Sequence, residues 1–348
     1  VFNSFFKKLV LTLVLSVSIQ LKAEPLWAYG FQTPLKPTDH PPAPSVPSRK
    51  PKAGKSIEEQ NRPLHVAGST ASYSTIDIHY GGNVADWFPL EHPPMPYIAS
   101  HGSKSLGDKA YACAFCHLPT GRGRPENAPV SGQSVDYFIR QLEDFKHGMR
   151  NSYDKRKANT QVMIALAKAM TKEEEVEAAN YFAAIPWTRW VHVIETDLVP
   201  RTHIENSLYL ALEKKLTEPI AGRIIEIPED EEQAQGLRNP HSGFIAYVPK
   251  GSLSKGKDLV TTGGERRIEG KVIPGKTVAC ATCHGPDLMG LKDAPAIAGR
   301  SPSYLARQMY DMKEGTRKGA FAVQMQPVVS QLSDDDITAI VAYVSSLP

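Results

Sequence analysis

The sequence predicts a mainly α-helical protein: two tandem copies of one unit, a proline-rich N-terminal extension, and a small β-containing connector between the copies. Three observations lead there. The pattern Cys-x-x-Cys-His occurs twice, at Cys113, Cys116 and His117 and again at Cys280, Cys283 and His284, and it uses all four cysteines of the 348-residue chain. A repeat surrounds the two motifs in constant register. Apolar stripes at helical spacing follow each motif. The resulting plan is a signal peptide over 1–23, an extended segment over 24–96, a first unit over 97–186, a connector over 187–251 and a second unit over 252–348.

Residues 1–23 carry Lys7, Lys8 and Lys22 and no acid, with an uncharged apolar run from Leu9 to Ile19. Eleven residues are short for a membrane span, which needs about 20, so the stretch reads as a secretory signal cleaved after Ala23. An uncleaved anchor is the alternative. Either way the protein is exported, and the periplasm is the expected compartment. Without this stretch the chain has 37 basic and 37 acidic residues, from totals of 40 and 37. That balance gives no nucleic-acid footprint.

The next stretch holds Pro34, Pro37, Pro41, Pro42, Pro44, Pro47 and Pro51. Such spacing favours polyproline-like chain with little core of its own, a tether or a strap. Ile76, Ile78 and Tyr80 alternate like a short strand, and Trp87 and Phe88 read as packing anchors.

Two thiols and an imidazole at this spacing fit covalent attachment of haem c. Disulfides, a redox dithiol or a zinc site would not require a histidine after both pairs. The thiols would add to the porphyrin vinyl groups, and His117 and His284 would ligate iron. The repeat then selects the opposite ligand. Ser134 to Arg150 aligns with Ser301 to Arg317, pairing Tyr137 with Tyr304 and Arg140 with Arg307. After five extra residues in the first copy, Met163 to Pro186 aligns with Met325 to Pro348. Of eight methionines, Met163 and Met325 are the ones matched in both copies, each expected on a loop before a helix. Thr171 with Glu174, and Ser333 with Asp336, have the spacing of capping boxes that open the terminal helices. Arg140 and Arg307 are candidates to meet haem propionates, with Tyr137 and Tyr304 beside them on the pocket wall.

In the connector, the stretches AGRIIEIPED and SGFIAYVPKGS read as two short strands, a hairpin or clip against one unit. The acids from Glu229 to Glu232 read as a solvated loop, with a docking patch as the alternative. His192, His203 and His241 are assigned no metal.

Each unit resembles a class I cytochrome c domain, and the pair resembles the di-haem cytochrome c4 group. The residues that carry the resemblance are Cys113, Cys116, His117, Tyr137 to Arg150 and Met163, then Cys280, Cys283, His284, Pro295 to Gln308 and Met325. The resemblance implies an electron carrier with two haem c groups, soluble or loosely held to a membrane, each iron between histidine and methionine. Pro295 fits the family proline whose carbonyl orients the proximal imidazole. The first unit has Ala128 there and Pro129 one step later, which marks its haem as the atypical one. The implied partners are redox proteins: a dehydrogenase, an oxidase or another cytochrome. A di-haem peroxidase is the enzymatic alternative, but it needs an iron with an open distal side. The cytochrome subunit of a periplasmic dehydrogenase or oxidase complex is another.

Overall fold

The computed structural model describes residues 25–49, 56–213 and 216–348. The expected signal peptide lies outside them. Among the described residues no helix is long and apolar enough to cross a membrane.

The N-terminal segment holds three short helices: α1 (Leu26–Tyr29), α2 (Ile57–Asn61) and α3 (Thr75–His79). Residues 37–49 run without helix or strand apart from a turn, as their prolines dictate. The segment is a strap rather than a tether, because Trp27, Ala28 and Tyr29 are buried against the second unit. One expectation fails here. Residues 75–79 are helical rather than extended. Ser74 accepts from the Asp77 amide while Asp77 accepts from the Ser74 amide, and this local box outweighs the alternation of Ile76 and Ile78.

The first unit comprises α4 (Tyr97–His101), α5 (Cys113–His117), α6 (Val135–Lys146), α7 (Ala158–Ala169) and α8 (Lys172–Ala183). Ser134 caps α6, and Thr171 with Glu174 forms the capping box that opens α8. Glu173, Glu174 and Glu175 in its first turn also suit the helix dipole. The methionine loop is absent: Met163 lies inside α7.

The two strands expected here do pair antiparallel, but the described residues of the connector hold five more. Strands β1 (Val191–Thr196), β2 (Leu198–Pro200), β3 (Thr202–Glu205), β4 (Leu208–Ala211), β5 (Thr217–Pro219), β6 (Ile225–Pro228) and β7 (Phe244–Pro249) make three small sheets, in the orders β1-β7-β6, β2-β5 and β3-β4. The central β7 pairs with β6 antiparallel and with β1 parallel. Val191, Ile225, Ile227, Ala246 and Val248 point inward and share one apolar core with the second unit.

That unit comprises α9 (Ser252–Thr262), an exposed hairpin of β8 (Arg266–Ile268) and β9 (Lys271–Ile273), α10 (Ala281–His284), α11 (Pro302–Lys313), α12 (Gln326–Val329) and α13 (Asp334–Ser346). Ser333 and Asp336 box the start of α13, and Ser301 caps α11. Helices α9 and α13 cross at Gly256, where a Cβ would run into the Ala339 carbonyl oxygen.

Candidate functional site

Each motif occupies one helical turn, so its thiols and imidazole project from a common short element. The residue after the histidine has positive φ in both copies, Leu118 at 62° and Gly285 at 82°. This breaks the helix and sends the chain into a proximal loop. There His117 Nδ1 lies 2.7 Å from the Ala128 carbonyl oxygen, and His284 Nδ1 lies 2.7 Å from that of Pro295. The expected difference between the two loops is therefore absent. The acceptor is a backbone carbonyl, and alanine supplies one as well as proline does.

Both imidazoles are buried, and burial lowers their pKa, which favours the neutral ring with Nε2 available to a metal. Burial also raises Cys113 to about 12 and Cys280 to about 11, so both thiols are protonated at neutral pH.

A cavity of about 620 Å³ adjoins the first motif. Cys113, Cys116, His117, Phe138, Met163 and Met170 line it. Its volume and mixed lining are those of a cofactor site, apolar with a few convergent polar groups. The residues thus fit a haem. Thiols, imidazole and thioether sulfurs meet in one space, and Arg150, Lys157 and Arg307 stand at its polar side. Lys157 is fully buried, and desolvation, with Arg307 nearby, pulls its pKa well below the usual lysine value. A carboxylate entering the cavity would relieve that cost.

Much of the enclosure comes from outside the repeat. Ile76 and His79 of α3, and Ser207 and Arg238 of the connector, line the same cavity. The Arg238 guanidinium lies 4.1 Å from the centroid of the Phe115 ring and donates to the Phe115 carbonyl. Trp87 Nε1 donates to the Leu237 carbonyl at 2.8 Å, tying the N-terminal segment to that loop. None of these positions has a repeat partner in the sequence, so internal alignment carries no signal for them.

The other candidate residues divide. Met325 ends a short 3₁₀ turn (Ala322–Met325) and packs, half-buried, against the core that Cys280 also touches. Arg307 lines the first cavity and donates to the carbonyls of Ala28 and Pro125. Arg140 instead pairs with Asp293 of the second unit at 2.8 Å and is not among the cavity residues. Tyr137 and Tyr304 both line the first cavity and join a two-fold network across the units. Arg150 donates to Gln141 and Gln308, and Arg317 donates to the same two side chains. Arg150 also reaches Tyr304, and Arg317 reaches Tyr137. The repeated units are thus packed with their repeated residues exchanged.

A family model, Cytochrome c, matches residues 255–348. The chain is also 42% identical over 72 residues to cytochrome c-554(548) of Halomonas halodenitrificans, an alignment covering 20% of this chain and 87% of that protein. The chain belongs to the cytochrome c family. It is 24% identical over 243 residues to cytochrome c4 of Pseudomonas aeruginosa, covering 69% of this chain and 85% of that one. It is 38% identical over 113 residues to the thiosulfate dehydrogenase electron acceptor of Stutzerimonas stutzeri, covering 31% and 47%. This cytochrome carries two covalently attached haem c groups and is an electron carrier rather than an enzyme.

Proposed function

We propose that this cytochrome is an exported di-haem relay, resident in the periplasm, that passes single electrons between redox proteins. In this reading Cys113 and Cys116 hold one haem c, and Cys280 and Cys283 hold the other. His117 and Met163 would be the axial ligands of the first iron, and His284 and Met325 those of the second. The two haem domains would be residues 97–186 and 252–348. The observation that carries the reading is the matched proximal contact: each motif histidine meets a carbonyl 11 residues later, at 2.7 Å in both units.

When bound, each haem supplies an iron that cycles between ferric and ferrous states. The protein's part is to hold the coordination sphere still. The carbonyl contact fixes each imidazole tautomer and orientation, leaving Nε2 to face the metal. Met163 and Met325 would each supply a thioether to the iron, which would raise its reduction potential. Burial of the pocket limits solvent rearrangement on electron transfer. The Arg150–Arg317 network holds the two units in one orientation, which would hold two bound haems in a fixed relation. A dehydrogenase is the favoured donor class, because a relative is named as a dehydrogenase's electron acceptor.

Met170 is buried and lines the same cavity as Met163, so the first distal ligand needs a direct test. Met163→Ala should abolish the methionine-to-iron charge-transfer band of the first haem and open that iron to carbon monoxide. Met325→Ala should do so for the second, and Met170→Ala for neither. Retention of the band in Met163→Ala with its loss in Met170→Ala would move the assignment to Met170. Ready carbon monoxide binding by the reduced wild type would overturn the closed two-methionine reading.

A further inference from the structure

Gln133 and Arg300 occupy equivalent positions in the repeat, 167 residues apart. Each follows a glycine with positive φ, Gly132 at 66° and Gly299 at 68°. Each is buried, at 7% and 1% exposure. Each reaches across to the other unit's proximal loop. Gln133 Nε2 donates to the Ala296 carbonyl at 2.9 Å, and its Oε1 accepts from the Ala296 amide at 3.1 Å. Arg300 Nη1 donates to the Pro129 carbonyl at 3.1 Å and Nη2 to that of Ser131 at 3.0 Å. Its Nε donates to the Ala296 carbonyl at 2.8 Å.

The chemistry of the two loops differs at one atom. The peptide joining Pro295 to Ala296 accepts from His284 through its carbonyl and donates to Gln133 through its N–H. An amide that donates is a better acceptor, because hydrogen bonds in a chain polarise one another. The corresponding peptide joins Ala128 to Pro129. Its carbonyl accepts from His117, but the proline nitrogen has no hydrogen to donate. The relay from Gln133 to a proximal histidine therefore exists in the second unit and is chemically barred in the first.

We propose that Gln133 is a positioning residue for electron transfer: acting across the unit interface through the Pro295–Ala296 peptide, it strengthens the His284 hydrogen bond and holds the second haem at the lower potential. A stronger hydrogen bond from Nδ1 makes the imidazole a more basic ligand. A more basic ligand favours ferric iron, so the potential falls. The Arg300 guanidinium touches both loops, and its charge favours the ferrous state of both irons. The gap between the haems is thus set by Gln133, while Arg300 shifts both together. The inference rests on the assignment of His117 and His284 as proximal ligands.

The test is a redox titration that resolves both haems, with the proton resonance of His284 Nδ1–H followed by NMR. Gln133→Leu should raise the lower midpoint, narrow the gap and move the His284 proton. Gln133→Glu, which keeps the acceptor and adds negative charge, should lower that midpoint and widen the gap. A packing role alone would not give opposite signs, so shifts of one sign, or none in folded protein, overturn the inference. Arg300→Gln should lower both midpoints with the gap preserved. Pro129→Ala with Arg300→Gln supplies the missing N–H and an acceptor for it, and should lower the first haem's midpoint below its value in Arg300→Gln alone. That double variant does not disturb Gln133, so a first midpoint no lower than that of Arg300→Gln overturns the relay even where Gln133→Leu fails to fold. Failure of the ligand assignment would appear separately, as a low-spin spectrum of the second haem that survives His284→Ala.

Discussion

In the first unit the chain leaves its motif through Leu118 and presents the Ala128 carbonyl to the histidine; in the second it leaves through Gly285 and presents that of Pro295. The contact distances agree, so the proximal geometry belongs to the backbone path rather than to the residue types along it. The surroundings diverge. The first cavity is walled by the N-terminal segment, the connector and α11. The second motif sits on a core shared with the connector sheet and α1, with Cys283 exposed. One unit is enclosed by borrowed elements, and the other is stabilised by them. Substitutions that act on one unit alone can break or sharpen that contrast.

The largest effect is expected at Gly256, where α9 meets α13. A side chain there must displace the Ala339 carbonyl oxygen, and its Cβ would lie 2.7 Å from that of Tyr343. Neither is a flexible side-chain end, so Gly256→Val should cost about 3 kcal/mol or more, the upper part of the range for overpacking. Denaturant unfolding followed by circular dichroism should show the second unit unfolding at lower denaturant while the first persists. A single transition would make the two units one cooperative body.

A pH-dependent effect of similar origin should separate the N-termini of α6 and α11. Ser134 caps α6 at an exposed position, whereas Ser301 caps α11 beneath the connector. There Glu226 accepts from Ser301 Oγ at 2.8 Å, and its Oε1 has no partner. Burial raises the Glu226 carboxyl to about 7. Because the folded value lies above the unfolded one, its contribution is fully present below about pH 4 and is lost as pH rises to about 7. The loss is on the order of 3 kcal/mol, taking about 1.4 kcal/mol per pH unit. Wild type should therefore lose stability relative to Glu226→Gln across that window and run parallel to it above. A flat difference between the two from pH 4 to 8 would sink the argument.

The same contrast explains what the sequence makes legible. Helices α6, α8, α11 and α13 are readable because a cap and an apolar stripe lie within a few residues of each other, and the motifs are readable because they repeat. The parallel pairing of β1 with β7 joins residues more than 50 positions apart, and no local pattern records it. The repeat sets Met163 opposite Met325 and so implies a loop for both, yet the five extra residues of the first copy continue as α7. The roof over the first cavity comes from Ile76, His79, Ser207 and Arg238, outside the repeat. Ala128 reads as a defect only if the acceptor is taken to be the proline rather than its carbonyl.

The smallest effect concerns the residue that differs most plainly between the loops. Leu118 has φ 62° and ψ 155°, a region that is close to glycine-only. Gly285 has nearly the same angles, φ 82° and ψ 162°, without strain. Holding leucine there costs about 1–3 kcal/mol. Its side chain, 3% exposed, packs into the core shared by the connector and the second unit, which returns about 1.5–3 kcal/mol. The two nearly cancel, so Leu118→Gly should change stability by about 1 kcal/mol or less while leaving the His117 contact intact. Leu118→Ala keeps the strain and loses most of the burial, and should be the worse of the two by about 1 kcal/mol or more. If the glycine variant proves the less stable, the leucine is held for its packing, and the backbone strain at this position is smaller than its angles indicate.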